Sequence, residues 1–362
     1  MFWVSHKKRI KVAVGMSGGV DSSLAALLLS QDKAYDTVGV YMRNWSQELP
    51  EIKGCPWETD QRDARLVADQ LGIPFYVVNF EQEYYDAVVK YMIDGYQRGI
   101  TPNPDIVCNQ AIKFGIFWKK MRAWGFAKIA TGHYARIIQT GKNYQLTLSA
   151  DDNKDQTYFL SRLSQEQIGH ALFPLGDLTK REVRNLAAKA NLLTAHKRDS
   201  QGVCFIGNMK VNDFLKRYIS GTPGSIKDLS SGKIIGKHQG IEFFTIGQRQ
   251  GIDIGGSGPY YVVRRDLQAA DLWVTNRIDD PALFSKEIKI VNTIWQQTVT
   301  KLPVAVQVRI RHRQPFVSAK VIAGEETGEY IIKLSKSVRA VTPGQVAAMY
   351  QNGIVLGAGI IV

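Results

Sequence analysis

The residues best placed to do chemistry come early in this 362-residue chain. Gly15-Met16-Ser17-Gly18-Gly19-Val20-Asp21-Ser22-Ser23 lies between a short apolar run and a stretch of helical composition. Small residues let a backbone wrap closely around a phosphate. The helix start behind them adds N–H donors and a positive dipole end. Ser17, Ser22 and Ser23 add hydroxyl donors. Asp21 would repel a phosphate, so it suits contact with Mg2+ or a role in fixing the loop. The plain alternative is an Asp-Ser helix cap after a glycine turn. A Walker A loop is excluded, because G-x-x-x-x-G-K-[ST] is not matched.

The three cysteines are the second signal. Cys108 and Cys204 sit in segments rich in Gly, Pro, Asn or Asp, whereas a buried structural cysteine usually lies in an apolar pattern. Cys108 falls near the start of an expected helix, whose dipole would lower a thiol pKa. Two inert thiols are the alternative. Cys55, in Gly54-Cys55-Pro56-Trp57, reads as an ordinary loop thiol. There is no C-x-x-C and the six histidines lack ligand spacing, so no zinc or other tightly bound metal is expected. Three cysteines make no disulfide framework and point to a reducing compartment. Asp105, three residues before Cys108, is either a general acid/base or a turn Asp after Asn103-Pro104.

The elements that must position these residues follow from hydrophobic period. Strands are expected at 11–16, 37–42, 75–80 and 128–131, with helices at 22–30, 59–71, 82–98 and 109–124. That alternation implies βαβ units: an α/β, Rossmann-like parallel sheet with its ligand site beyond the strands' carboxyl ends. A hairpin is expected at 136–150 and a helix within 180–190. Residues 208–282 are rich in Gly and short β runs. Residues 283–362 hold six β runs, as in a small barrel or sandwich, and the barrel is the architecture expected. The expected domains are therefore 1–207, 208–282 and 283–362.

The net charge of +13 suggests a polyanionic partner. The last 80 residues hold 10 Lys+Arg against 4 Asp+Glu, a large share of that excess. Arg309, Arg311 and Arg313 alternate, and on one strand they would share a face. That face is either a phosphate contact or merely solvated. No run of 18 apolar residues and no apolar leader is apparent, so the expected location is cytoplasmic, without a membrane.

S-G-G-x-D-S after a first strand resembles the PP-loop of the ATP pyrophosphatases. Further segments narrow the resemblance: Thr101-Pro102-Asn103-Pro104-Asp105 with Cys108-Asn109, Ala130-Thr131-Gly132-His133-Tyr134-Ala135-Arg136, and Lys154-Asp155-Gln156-Thr157-Tyr158-Phe159-Leu160. Asp199-Ser200-Gln201-Gly202-Val203-Cys204, Thr245-Ile246-Gly247-Gln248-Arg249 and Pro343-Gly344-Gln345 complete the series. In this order, over nearly the whole chain, they resemble the tRNA-specific 2-thiouridylases.

The resemblance implies ATP, with Mg2+, held by Gly15, Met16, Ser17, Gly18, Gly19, Val20, Asp21 and Ser22, and by Met42 and Gly132 on the adenine side. It implies a tRNA substrate with Lys, Glu or Gln acceptors, and a sulfur-relay protein that delivers a persulfide to Cys204. Cys108 is then the partner thiol, which attacks the persulfide to release sulfide or to leave a transient disulfide. Asn103, Pro104 and Asp105 would line the pocket for the wobble base. His133, Lys154, Asp155, Gln156, Arg311, His312 and Gln345 would approach the tRNA. His312 departs from the family's usual Tyr. Other PP-loop enzymes fit less well, since the iron–sulfur thiolases need a C-x-x-C and no glutamine-amidotransferase domain is apparent. The intact loop and paired cysteines argue against a non-catalytic RNA-binding protein.

Overall fold

The apolar run at 10–15 is a strand in which β-branched Val12 and Val14 alternate with Ala13 and Gly15, all buried. The computed structural model describes residues 9–46, 56–199, 209–252, 254–255 and 258–362. Cys55 and Cys204 lie outside the described residues. The chain divides into two compact units. One comprises Met1–Ala87, Asp105–Asn208 and Asn352–Val355, and the other Val88–Pro104, Met209–Gln351 and Leu356–Val362.

The first unit is an α/β layer structure. Its strands are β1 (Ile10–Gly15), β2 (Tyr35–Arg43), β3 (Phe75–Asn79) and β4 (Lys128–Ala130). The hairpin β5 (Arg136–Thr140) and β6 (Asn143–Thr147) follows, then β7 (Ala171–Leu172). The main sheet has the order β3-β2-β1-β4-β7, and its neighbours pair in parallel. Val12, Ala13 and Val14 are fully buried, as a strand covered on both faces requires. Helix α1 (Val20–Gln31) and helix α2 (Pro56–Leu71) pack on it through Leu24, Ala25, Ala64, Val67 and Ala68. The order reverses beside β1, so β1 and β4 flank the switch point at which such sheets bind ligands.

Two helices differ from the sequence expectation. The helix expected from Asn109 begins at Pro104, where a proline costs no hydrogen bond, and runs to Ala123. Its middle, Cys108–Ile116, is π-helical. Gln167 Nε2 donates to the carbonyls of Gln110 (2.7 Å) and Phe114 (3.1 Å), catching acceptors that the wider turn frees. Cys108 therefore lies one turn inside a helix and not at its start. The expected 82–98 helix likewise carries a π segment at Tyr85–Val89.

The second unit contains a four-stranded sheet and a barrel. β8 (Gly224–Asp228), β9 (Ile234–His238), β10 (Tyr261–Asp266) and β11 (Asp271–Thr275) pair in the order β10-β11-β8-β9 around Ile226, Val262, Leu272 and Val274. The barrel strands are β12 (Phe284–Trp295), β13 (Val304–Arg309), β14 (Val317–Ala323), β15 (Tyr330–Arg339), β16 (Val346–Gln351) and β17 (Ile354–Ile361). Pairing of β12 with β17 closes the ring, which leaves no open edge. Alternate residues such as Ile288, Ile290, Val306, Val308, Val321 and Ile332 fill it. β13 ends at Arg309, so Arg311 and Arg313 do not continue a basic strand face. Arg313 sits in a turn with φ +62°. Among the described residues, no helix is long and apolar enough to cross a membrane.

Candidate active site

The loop between β1 and α1 lies at the carboxyl edge of the parallel sheet. Gly18 takes φ +72°, and a Cβ there would fall 2.3 Å from the Asp60 carbonyl oxygen of α2, so only glycine fits. Ser22 Oγ accepts from the Ser17 backbone N–H at 3.0 Å and donates to the Gly19 carbonyl at 3.1 Å. Ser23 Oγ donates to the same carbonyl at 2.9 Å. These buried hydroxyls brace the loop, whereas Ser17 is exposed, its hydroxyl 3.2 Å from Ser22 Oγ. Gly19 is the N-cap of α1 and brings no capping side chain, so the first helical N–H groups remain for an anion. Met16 and Val20 are buried in the core and can offer a ligand only backbone.

Met42 and Gly132, the two outlying candidates, pack against this loop. A Cβ on Gly15 would meet the Met42 Cε at 3.1 Å. A Cβ on Gly132 would meet the Asp21 carbonyl carbon and the Ser22 nitrogen, each at 2.7 Å. Glycine at 132 is thus what lets the chain after β4 lie against the first turn of α1.

Asp21 settles its own part. Lys180 Nζ donates to both carboxylate oxygens, at 2.7 and 2.8 Å, and the Tyr134 hydroxyl donates at 2.7 Å. Burial and the Asp21 carboxylate push the Tyr134 hydroxyl up, so it stays a donor. This carboxylate fixes the loop. Among the described residues no group of three His, Cys, Asp or Glu could hold a metal.

Lys180 reaches further. It also lies 2.9 Å from Asp199, which pairs with Lys154 at 2.7 Å and with Arg184 at 2.8 Å. Burial raises the Asp199 pKa, but the hydrogen bonds from Lys154 and Lys180 outweigh it and hold it at about 2. The sequence reading missed Lys180. Thr179-x-x-Glu182 was the available signal: Thr179 caps the helix Lys180–Lys189 in a capping box and fixes Lys180 in its first turn.

The remaining sequence candidates in this unit divide into tied and poised. Asp155 is buried and accepts from Ser149 N (3.2 Å) and Thr157 Oγ1 (2.8 Å). Gln156 Oε1 accepts from Tyr134 N at 2.9 Å. His133 is buried beside Phe114 and Phe173, with Nδ1 2.7 Å from Thr131 Oγ1. Burial, then the Lys113 charge, hold His133 well below its usual value, so it is neutral at pH 7. Each of these three side chains bonds a neighbouring group within the first unit. Asp105 is half-buried in the first turn of the Pro104 helix, and burial raises its pKa against the opposing pull of Lys113. That is the environment of a proton-transfer group. Cys108 is a buried thiol on the same helix. Next to it Asn109 is buried, donating to the Phe159 carbonyl at 3.2 Å.

In the second unit three sequence motifs meet. Gln345 Nε2 donates to the carbonyls of Thr101 (2.9 Å) and Pro102 (3.4 Å), and its Oε1 accepts from Asn103 Nδ2 at 3.3 Å. Thr101 N donates to the Pro343 carbonyl at 2.8 Å. The Thr101 and Thr245 hydroxyls pair at 3.2 Å. Arg311 donates to the Ala340 carbonyl at 2.6 Å. Arg309 stacks over Phe316 at 3.8 Å. His312 is half-buried in the turn after β13.

A braced, uncapped anion loop at the switch point of a parallel sheet, in a chain that also builds a closed β-barrel, defines a nucleotide-binding α/β enzyme with appended β domains. Comparison with known proteins makes this specific. Three family descriptions match in series: "tRNA methyl transferase HUP domain" over residues 10–208, "tRNA methyl transferase PRC-barrel domain" over 212–276 and "Aminomethyltransferase beta-barrel domain" over 285–361. A tRNA-specific 2-thiouridylase MnmA of Bacillus pumilus is 43% identical over 97% of this chain and 94% of its own. MnmA 1 of Geobacillus kaustophilus is 45% identical over 98% and 96%. MnmA of Listeria monocytogenes is 42% identical over 99% and 96%. The chain belongs to the tRNA-specific 2-thiouridylase family and is an enzyme of that family.

Proposed function

We propose that this enzyme uses ATP to replace O2 of the wobble uridine of tRNA with sulfur. Residues 1–207 act as the ATP-binding catalytic domain, 208–282 as the central domain and 283–362 as the tRNA-binding barrel. The observation that carries the reading is the loop itself. Its helix N-terminus is open, and Lys180 neutralises the one carboxylate that would repel a phosphate. ATP lies with its phosphates on Gly15–Ser22, beside Met42 and Gly132. Mg2+ travels with the nucleotide on its phosphate oxygens.

The uridine O2 attacks the α-phosphorus, the bond to the β-phosphate breaks, and pyrophosphate leaves. This makes O2 part of AMP, a far better leaving group. The terminal sulfur of a Cys204 persulfide then attacks C2, and AMP departs. Cys108 as thiolate takes the Cys204 sulfur, which breaks the S–S bond and leaves a Cys108–Cys204 disulfide. An external dithiol reduces that disulfide, and a sulfur-relay protein of the cytoplasm reloads Cys204. Asp105, with its raised pKa, exchanges the proton. Asn103, Pro104 and Asp105 receive the base turned out of its stack. Arg311 and His312 contact the tRNA, whose acceptors are Lys, Glu and Gln.

Incubation with ATP, Mg2+, a persulfide donor and tRNA, followed by nucleoside digestion, should give 2-thiouridine with wild type and none with Cys204→Ala. A methylated nucleoside, or product undiminished in the variant, would refute the reading.

A further inference from the structure

We infer that Gln167 is a positioning residue for Cys108: its side-chain amide holds the wide turns of the Cys108–Ile116 segment, and those turns bring Cys108 to the buried side of its helix. This rests on the function proposed above, which gives Cys108 its part in sulfur transfer. The helix changes phase along its length. Phe114, Phe117, Trp118 and Met121 are buried at steps of three and four, as one face of an α-helix requires. Continued towards the N-terminus, that stripe would bury Ala111 or Gln110 and then Val107. Those three are only half-buried. Cys108, Asn109 and Ile112 are buried in their place. The two stripes are out of step by one position. At the junction the Phe117 N–H donates to the Ile112 carbonyl, five residues back, where an α-helix would reach back four. One position on an α-helix is a rotation of about 100°. The wide turns therefore decide whether Cys108 or Val107 faces inward.

Turns of this kind are rare, and they persist where something outside the helix holds them. Gln167 supplies what is needed. Its Nε2 gives one hydrogen to the Gln110 carbonyl at 2.7 Å and the other to the Phe114 carbonyl at 3.1 Å, so it spans the wide segment. Its oxygen is equally committed. Oε1 accepts from Ser164 N at 3.0 Å, and Gln167 N donates to Ser164 Oγ at 3.2 Å, in the capping box that opens the short helix Gln165–His170. The amide cannot turn over without losing all of these bonds. Gly115 makes the room: a Cβ there would lie 2.9 Å from the Gln110 carbonyl oxygen and 3.9 Å from Gln167 Nε2. On the other side of the wide segment Asn109, the inward neighbour of Cys108, donates to the Phe159 carbonyl at 3.2 Å. Every group in this chain of contacts belongs to the first unit.

Gln167→Glu tests this most sharply, because its carboxylate keeps an acceptor for Ser164 N and loses only the two donated hydrogens. Turnover at saturating ATP and tRNA should fall by roughly 10-fold or more, the scale expected for a displaced reacting group. The KM for ATP and the equilibrium tRNA affinity should stay within about twofold, the split left by an interaction that counts only during reaction. Iodoacetamide should label Cys108 of the intact variant faster than that of wild type, scored by mass spectrometry of the peptide that carries it, because an α-helical register turns the thiol away from the core. Gly115→Ala crowds the same turn from inside the helix and leaves Gln167 unchanged, so it should reproduce all three effects and serves if Gln167→Glu does not fold. A loss of turnover with unchanged Cys108 labelling would make Gln167 a merely structural residue and overturn the inference. Wild-type turnover in Gln167→Glu, with or without a raised KM or tRNA Kd, would overturn it as well. A wild-type protein that makes no 2-thiouridine refutes the function itself, and the labelling still decides whether Gln167 sets the register of the helix.

Discussion

The phosphate loop and the 99–103 loop are held by opposite physics. Around the first, the fixing groups are charged: Asp21, Lys180, Asp199, Lys154 and Arg184 form one chain of ion pairs. Around the second they are mostly neutral: two threonine hydroxyls, a glutamine amide and backbone carbonyls, with Arg265 at the margin. A charged network responds to salt, pH and an arriving anion. A neutral clamp responds to none of these and supplies geometry alone. The chain thus puts responsiveness where a tetraanionic nucleotide is proposed to enter and rigidity where a neutral base is proposed to be presented.

Glycine is where the two loops are alike, and it gives the largest predicted effect. Gly18→Ala forces a left-handed residue and a clash with the Asp60 backbone. Left-handed backbone costs about 1–2 kcal/mol, and the clash adds to that. We expect a loss of about 3 kcal/mol in urea unfolding and loss of ATP binding by calorimetry. Gly344→Ala should cost less, because its closest approach is 2.9 Å and not 2.3 Å. Equal losses would mean the two loops tolerate strain alike.

Next in size is Lys180→Met. Asp21 would keep Tyr134, and Asp199 would keep Lys154 and Arg184, so the network is weakened and not destroyed. We expect about 2 kcal/mol of destabilisation at low salt, shrinking as salt is raised because the pairs are partly exposed. The cost of Gln345→Ala should be independent of salt. A salt-dependent Gln345 effect, or a salt-independent Lys180 effect, would erase the distinction between the loops.

The sequence made the phosphate loop legible because its pieces are contiguous: strand, glycines and helix start lie within 23 residues. The parallel sheet and the six barrel runs were legible from period for the same reason. Lys180 was not, since its partner Asp21 is 159 residues away and nothing local marks a lysine as bridging. Asp155, Gln156 and His133 each close a bond inside the protein that no local pattern announces. Motif membership marks a residue as constrained without saying by what. The basic face at 309–313 does not form. Alternation implies a shared face only while the strand lasts, and β13 stops at Arg309. The helix starts five residues before the expected Asn109, because Pro104 opens it.

Acid sharpens the comparison further. The Asp199 pKa is depressed when folded, to about 2 from an ordinary carboxyl value of 3.8. Its contribution is therefore complete above the unfolded value and is lost as pH falls from there through about 2. His133 adds a loss that begins higher. It is buried neutral, so below about 6.5 the unfolded chain binds a proton that the folded one refuses. Stability followed by urea denaturation should decline below pH 6.5 and again below pH 4. Asp199→Asn should flatten only the lower step. The order at 99–103, read by hydrogen exchange in the native baseline, should not change between pH 7 and pH 5.

The smallest effect is the one that tests whether charge or geometry governs the junction between the two kinds of loop. Asp105 follows the clamped Asn103-Pro104 directly and is the first charged group after it. Burial raises its pKa, so ionisation at pH 7 works against folding. The sign is opposite to that of Asp199: a raised carboxyl pKa costs stability as pH rises past the unfolded value. Asp105→Asn should thus melt slightly higher than wild type at pH 7, and the difference should vanish near pH 3, where the carboxyl is protonated in both states. Turnover should fall in the same variant while ATP binding is unchanged. A variant that is less stable at pH 7 would mean that the Lys113 attraction outweighs burial, and Asp105 would then be held as a structural ion pair, in the manner of Asp21, and not kept as a proton carrier.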